Sequence, residues 1–267
     1  MKVEHVPVPV DHDRLSGTLT LPEGDVDTLV IMMHGGPGGD KDGPAGLFTR
    51  LATALADAGL ASLRFDFRGA GDSTGDYLDT TISRQVLEFH QVLEFARGKG
   101  FSRIGVVGES LGATVVVAGS RPGIDAVVLL WPALYLLDGA FSPWLTPDRQ
   151  AELDREGFIV DDGIKIGRDF VAEIWAVRDV ESRLRQLTVP TLLVHGEQDR
   201  VVPVRQSRRA SEVLPGASQL VLVPGGDHGL TRTSEQDLVV GQAVEWLSRH
   251  LSRSDPSGSG LSDTGGK

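Results

Sequence analysis

Short apolar, β-branched runs alternate along this chain with segments of helical period, and that alternation limits it to βαβ units around a mostly parallel sheet. The runs are Thr28–Met33, Ala61–Phe67, Arg103–Val107, Ala126–Trp131, Thr191–Val194 and Gln219–Val223. Within them, Leu29-Val30-Ile31-Met32-Met33 has no polar alternation, which predicts a strand buried on both faces. Two earlier runs, Val3–Val10 and Arg14–Leu21, are joined by the polar Asp11-His12-Asp13 and read as an antiparallel edge.

Between the strands, Phe48, Leu51, Ala52, Leu55 and Ala56 repeat at helical spacing and end at Gly59, a residue suited to a helix C-terminus. Ile82, Val86, Phe89, Leu93 and Ala96 make a second stripe, and Leu238, Ala243, Trp246, Leu247 and His250 a last one. We therefore expect one α/β domain over residues 1–253, with helices flanking the sheet. Residues 254–267, small and rich in glycine and serine, are expected to be a disordered tail. The alternation breaks between Pro132 and about Thr188, a stretch too long for a simple loop. It carries helical patterns near Pro147–Glu156 and Gly167–Val177 and a turn signal at Asp162-Gly163. A cap inserted at about 132–188, over the carboxyl edge of the sheet, is the expected arrangement, because ligands bind there in open α/β sheets.

Composition removes several function classes. The chain has no cysteine, which excludes disulfides, thiolate metal sites and a cysteine nucleophile. Its formal net charge of −11 disfavours nucleic acid and anionic membrane surfaces as partners. The start, MKVEHVPVPV, breaks its valines with Glu4, His5 and two prolines, and no run is long enough to span a bilayer. A cytoplasmic monomer or homodimer acting on a small molecule is the expectation.

The chemistry-bearing motif is Gly108-Glu109-Ser110-Leu111-Gly112, placed after the strand Arg103–Val107 and before the small-residue helix Ala113–Gly119. A serine at such a strand-to-helix turn projects from the end of the sheet, and flanking glycines relieve crowding around it. Serine needs a base to remove its proton. Of the histidines, His5 and His12 lie in the edge region, and His90 falls on a helix stripe. His250 is in the last helix, while His34 and His195 each end a strand before a glycine and read as structural turns. His228 remains, in the glycine-rich loop Pro224–Gly229 after the last strand. Its acidic partner should come from the loop Gly196-Glu197-Gln198-Asp199. Asp199 is the choice, with Glu197 as competitor and Asp227 as a weaker one. Donors for a developing oxyanion are expected from the amide of Leu111 and from the loop His34-Gly35-Gly36-Pro37-Gly38-Gly39. Pro37 has no N–H, so Gly36 is the choice for the second donor. The order Ser110, Asp199, His228 is that of α/β-hydrolases among serine hydrolases.

With these residues in place, the chain resembles the α/β-hydrolase superfamily from about Val3 to Arg253. The segment Ala61–Ser73, followed by GESLG and HGEQDRVVP, is most similar to bacterial feruloyl (cinnamoyl) esterases and related carboxylesterases. The resemblance implies ester hydrolysis through an acyl-enzyme on Ser110, no metal or organic cofactor, and a small cap over an aromatic-lined pocket. Asp66 and Arg68 take an architectural role by the same resemblance. Phe141, Trp144 and Trp175 are the candidate pocket residues. The loop HGGPGG also looks like that of prolyl iminopeptidases, which hold a free amine with cap carboxylates. Glu152, Asp154, Glu156, Asp161, Asp162 and Glu173 could serve in that way here. An aminopeptidase, a biosynthetic thioesterase and a non-enzymatic ligand receptor on the same fold are the alternatives.

Overall fold

The structure, a computed structural model, describes residues 1–139, 141–176 and 179–252. The strands are β1 (Lys2–Val10), β2 (Asp13–Leu21), β3 (Thr28–Met33), β4 (Ala61–Phe65), β5 (Arg103–Glu109), β6 (Ala126–Leu130), β7 (Phe158–Asp161), β8 (Ile164–Gly167), β9 (Thr191–Gly196) and β10 (Ser218–Val223). The helices are α1 (Leu47–Asp57), α2 (Ile82–Gly98), α3 (Leu111–Gly119), α4 (Pro147–Glu156), α5 (Arg168–Ala176), α6 (Val180–Gln186), α7 (Arg205–Val213) and α8 (Thr233–Leu251). Eight strands form one sheet in the order β1-β2-β4-β3-β5-β6-β9-β10, and β7 pairs with β8 in a separate hairpin. From β4 to β10 all neighbours are parallel, while β1 and β2 run antiparallel at the edge.

The absence of polar alternation in the central strands has a direct packing cause. In β3, Leu29, Ile31 and Met33 enter the core on one face, and Val30 and Met32 enter the core on the other. The first face is covered by α2 and α3 through Phe89, Val92, Leu93, Ala113 and Val116. The second is covered by α1 and α8 through Phe48, Leu51, Leu55, Ala243 and Leu247. Each central side chain is thus removed from water whichever way it points, and each fully buried Val, Leu or Ile stabilises the fold by about 1.5–3 kcal/mol before entropy is counted. Strand order reverses at β3, which lies between β4 and β5, so the crevice for a ligand opens at the carboxyl ends of β3 and β5.

The segment between β6 and β9 has a small core of its own. Phe141, Trp144, Leu153, Ile159, Ile166, Phe170 and Ile174 pack together and onto Ile82 and Leu111. Both helical patterns expected there are present as α4 and α5. The hairpin around Asp162-Gly163 and the helices α6 and α7 were not expected as elements. The hairpin strands are only four residues each, and α7 (RQSRRASEV) buries only Gln206, Ser207 and Ala210. Neither leaves enough apolar period to read. The expected helix end at Val177, the domain end at Arg253 and the tail 254–267 lie outside the described residues. Among the described residues no helix is long and apolar enough to cross a membrane.

β4 stops at Phe65, two residues before the expected end, because Asp66 turns the chain. Its side chain is fully buried and accepts hydrogen bonds from the Lys41 amide (2.6 Å), Lys41 Nζ (2.6 Å) and the Asp72 amide (3.0 Å). Lys41 Nζ also bonds Asp72 Oδ2 (2.7 Å), so removing Asp66 takes one of its two carboxylates and leaves the Lys41 and Asp72 amides without their buried acceptor. Asp66→Ala should therefore lower the unfolding free energy by about 3 kcal/mol, read as a lower urea midpoint at unchanged slope. An unchanged midpoint would mean that this pair carries no stability.

Candidate active site

At the end of β5 the chain turns into α3 through a single residue, Ser110, at φ 51° and ψ −113°. Positive φ strains a residue with a side chain by about 1–3 kcal/mol and persists only where the surroundings enforce it. They do so here through close backbone contacts. A Cβ on Gly112 would lie 2.5 Å from the Met33 oxygen and 2.6 Å from the His34 oxygen. One on Gly108 would lie 2.8 Å from the Ala113 Cα. The Ser110 amide donates to the Leu130 oxygen (3.0 Å), and its own oxygen accepts from the Ala113 and Ala133 amides. Leu111 is the first residue of α3, so its amide has no carbonyl one turn back within the helix.

The loop after β3 lies directly against this turn. Glu109, buried beside Ser110, accepts the Gly35 amide on Oε2 (2.5 Å) and the Trp131 indole N–H on Oε1 (2.8 Å). His34 Nε2 accepts the Phe67 amide (3.1 Å), so the ring hydrogen sits on Nδ1 and is donated to the Gly35 oxygen. Burial pushes the His34 pKa down, despite the Gly35 oxygen and nearby carboxylates, which favours this neutral anchor. Its reading as a structural turn agrees with these contacts. With Gly35 engaged, the Gly36 amide has no hydrogen-bond acceptor among the described residues. The Gly36–Pro37 peptide is cis. Tyr77 Oη lies close by, 3.1 Å from where a Gly36 Cβ would stand, and is buried without a hydrogen-bond partner among the described residues. Burial raises its pKa strongly.

His228 Nδ1 donates to Asp199 Oδ2 at 2.7 Å, so in the neutral ring Nε2 is the nitrogen without the hydrogen. The two loops are held together by Gly196, where a Cβ would meet the Gly226 oxygen at 2.5 Å, and by the Gln198 amide donating to that oxygen (2.8 Å). Asp199 Oδ1 accepts from the amides of Val201 and Val202, both at 2.8 Å. Burial by itself would raise the Asp199 pKa. Hydrogen bonds from His195, His228 and the Val202 amide outweigh it and hold the carboxyl well below the usual carboxylate range. Of its competitors, Glu197 points to Arg208 (3.6 Å) and Asp227 is exposed. Trp131 meets the His228 ring edge-on, with centroids 6.3 Å apart.

Ser110, His228, Gly35, Gly36, Phe141 and Trp144 line one cavity of about 430 Å³. Ser110 and His228 share it without a direct hydrogen bond, a looseness common before substrate binds. A second cavity of about 520 Å³ lies among α2, α3, α5 and α6 and contains none of these residues. Trp175 is 44% exposed and is not brought to the site, so it is corrected from the expected pocket set. Sequence reasoning missed Glu109 and Trp131, whose only signals were an acidic residue inside the turn motif and an aromatic ending a strand. His195, set aside as a turn residue, contacts Asp199.

Comparison with known proteins bears on the family and the fold. A family model described as "Alpha/beta hydrolase family" matches residues 30–242. The chain is 28% identical over 279 residues to the monoacylglycerol lipase of Mycolicibacterium smegmatis, covering 93% of this chain and 98% of that protein. It is 24% identical to the protein YfhR of Escherichia coli (strain K12), over 82% of this chain and 70% of that one. Among solved structures, Est1E of Butyrivibrio proteoclasticus with bound ferulic acid has the same fold, with a TM-score of 0.79 and 24% identity. That match covers 93% of this chain and all of that one.

The depressed Asp199 pKa makes a prediction about acid stability. A carboxyl whose folded pKa lies below its unfolded value of about 3.9 stabilises the fold above that pH, and this contribution fades as pH falls toward the folded pKa. Between about pH 5 and pH 2, the melting temperature of Asp199→Asn should therefore fall less steeply than that of the wild type. Parallel curves would show that Asp199 is not held as described.

Proposed function

The chain belongs to the alpha/beta hydrolase family, and on that premise we propose that it is a carboxylesterase cleaving small to medium esters with a hydrophobic or aromatic acyl group. The observation that carries this reading is the imidazole of His228. It is held by Asp199 through Nδ1, in the same cavity as a strained, buried serine. Ser110, His228 and Asp199 are the proposed nucleophile, general base and orienting acid. His228 Nε2 takes the hydroxyl proton as Ser110 Oγ attacks the ester carbonyl, and the amides of Gly36 and Leu111 stabilise the oxyanion. The imidazolium then gives its proton to the leaving alcohol, and an acyl-enzyme forms. Water, deprotonated by the same nitrogen, hydrolyses that acyl-enzyme and frees the serine.

Phe141 and Trp144, edge to face at 4.9 Å, are the proposed wall for the acyl group. The segment between β6 and β9 is proposed as a cap that shelters it. Similarity to a monoacylglycerol lipase supports an ester substrate. A second reading, an aminopeptidase, draws on Asp161, a cap carboxylate that lines the cavity together with Asp40. Glu152, Asp154, Glu156 and Glu173 are engaged elsewhere, with Arg149, Arg168, Arg155 and the Ser83 amide respectively.

The test is a chromogenic panel of short and medium p-nitrophenyl esters, methyl ferulate, a matched thioester and proline anilide. Ester turnover should fall about 10⁴-fold or more in Ser110→Ala and by a comparable factor in Asp199→Ala, with Glu197→Ala close to wild type. A crippled Glu197→Ala beside a mild Asp199→Ala would overturn the acid assignment. Preference for the anilide, lost when the amine is blocked, would establish the aminopeptidase instead.

A further inference from the structure

His195 sits in β9 with no exposed surface, four residues before Asp199. Its Nε2 lies 3.1 Å from Asp199 Oδ2 and 2.9 Å from the Val202 oxygen, and its Nδ1 lies 2.7 Å from Ser207 Oγ. A carboxylate and a carbonyl can only accept, so Nε2 carries the hydrogen and Nδ1 takes the Ser207 hydroxyl proton in its hydrogen bond. The same Asp199 oxygen therefore receives two imidazole N–H groups, from His228 on one side and on the other from His195, whose hydrogen is shared with the Val202 oxygen.

We propose that His195 is a positioning residue that tunes His228 through the carboxylate they share, held in the required tautomer by Ser207. The inference rests on the esterase reading only for its kinetic consequences. By donating to Oδ2, His195 draws charge from the oxygen that would stabilise the His228 cation. It also holds Oδ2 in place from the side opposite to His228, while the Val201 and Val202 amides hold Oδ1. Other ionisable groups face His228. Ser110, Asp40 and Asp161 share its cavity, and Glu109 stands behind Trp131. None of them bonds Asp199, so among the described residues only His195 acts on that carboxylate besides His228 and the backbone.

Three substitutions separate this role from packing. His195→Met fills the site without a donor. His195→Asn keeps a polar group toward Ser207 but falls short of Asp199. His195→Gln extends an amide N–H to about the position of Nε2. In His195→Met and His195→Asn, kcat should fall about 10- to 100-fold with KM nearly unchanged. The acid limb of kcat/KM should move to higher pH by about 0.5–1. His195→Gln should restore most of both. The His228 pKa, followed by its imidazole NMR signals, should rise in parallel in the two donor-free variants, whatever the substrate. That reading stands apart from turnover, so failure of the esterase assignment leaves it testable. A His228 titration unchanged in a folded His195→Asn, or equal losses in all three variants with an unmoved acid limb, would overturn the proposal.

Discussion

The site depends on one steric fact: at Gly112 the first turn of α3 runs into the carboxyl end of β3, with no room for a Cβ beside the Met33 and His34 oxygens. Because the helix cannot move away, the residue before it absorbs the change of direction, and Ser110 takes a conformation it would not adopt alone. The same contact sets the distance between β3 and the turn. The loop from His34 to Gly36 then lies beside the serine without a long linker. Strain at the serine is thus a product of sheet packing, which buries the strands on both faces and tolerates little adjustment.

Polar groups brought into this dry region are nearly all satisfied. Asp199 accepts four hydrogen bonds, two on each oxygen, and Glu109 accepts one on each. An unpaired polar group in such a place would destabilise by about 1–3 kcal/mol. These networks therefore order the loops as well as the side chains. Glu109 connects the Gly35 loop to Trp131, and Trp131 meets His228, so one buried carboxylate joins the loops after β3, β5 and β6. Asp199 does the same for the loops after β9 and β10. The Tyr77 hydroxyl and the Gly36 amide beside it, both without a partner among the described residues, are exceptions.

Much of this architecture is written in local patterns. Doubly buried strands such as β3 follow from unbroken apolar runs, α1 and α2 from their stripes, and the turn at Ser110 from glycines on either side of it. These signals survive in one dimension because each depends on neighbours a few residues away: periodic burial, backbone sterics, turn propensity. That Ser110, Asp199 and His228 each lie just after a strand was legible for the same reason, since those strands were recognisable.

Tertiary contact decided the rest. Asp199 and Glu197 stand two residues apart on one loop and are equivalent by pattern. Only the fold of that loop, with the Val201 and Val202 amides drawing Asp199 inward, sends Glu197 out to Arg208. His195 looked like a strand end because its partners, Ser207 on α7 and the Asp199 loop, converge on it only when the chain is folded. Trp175 matched Trp144 in composition, yet the helix rotation of α5 exposes it while Trp144 is buried at the cavity. Sequence determined which elements exist and where their ends carry reactive groups, because those properties are short-range. Which side chain on each end faces the cavity was settled by packing between elements far apart in the chain, which no local pattern encodes.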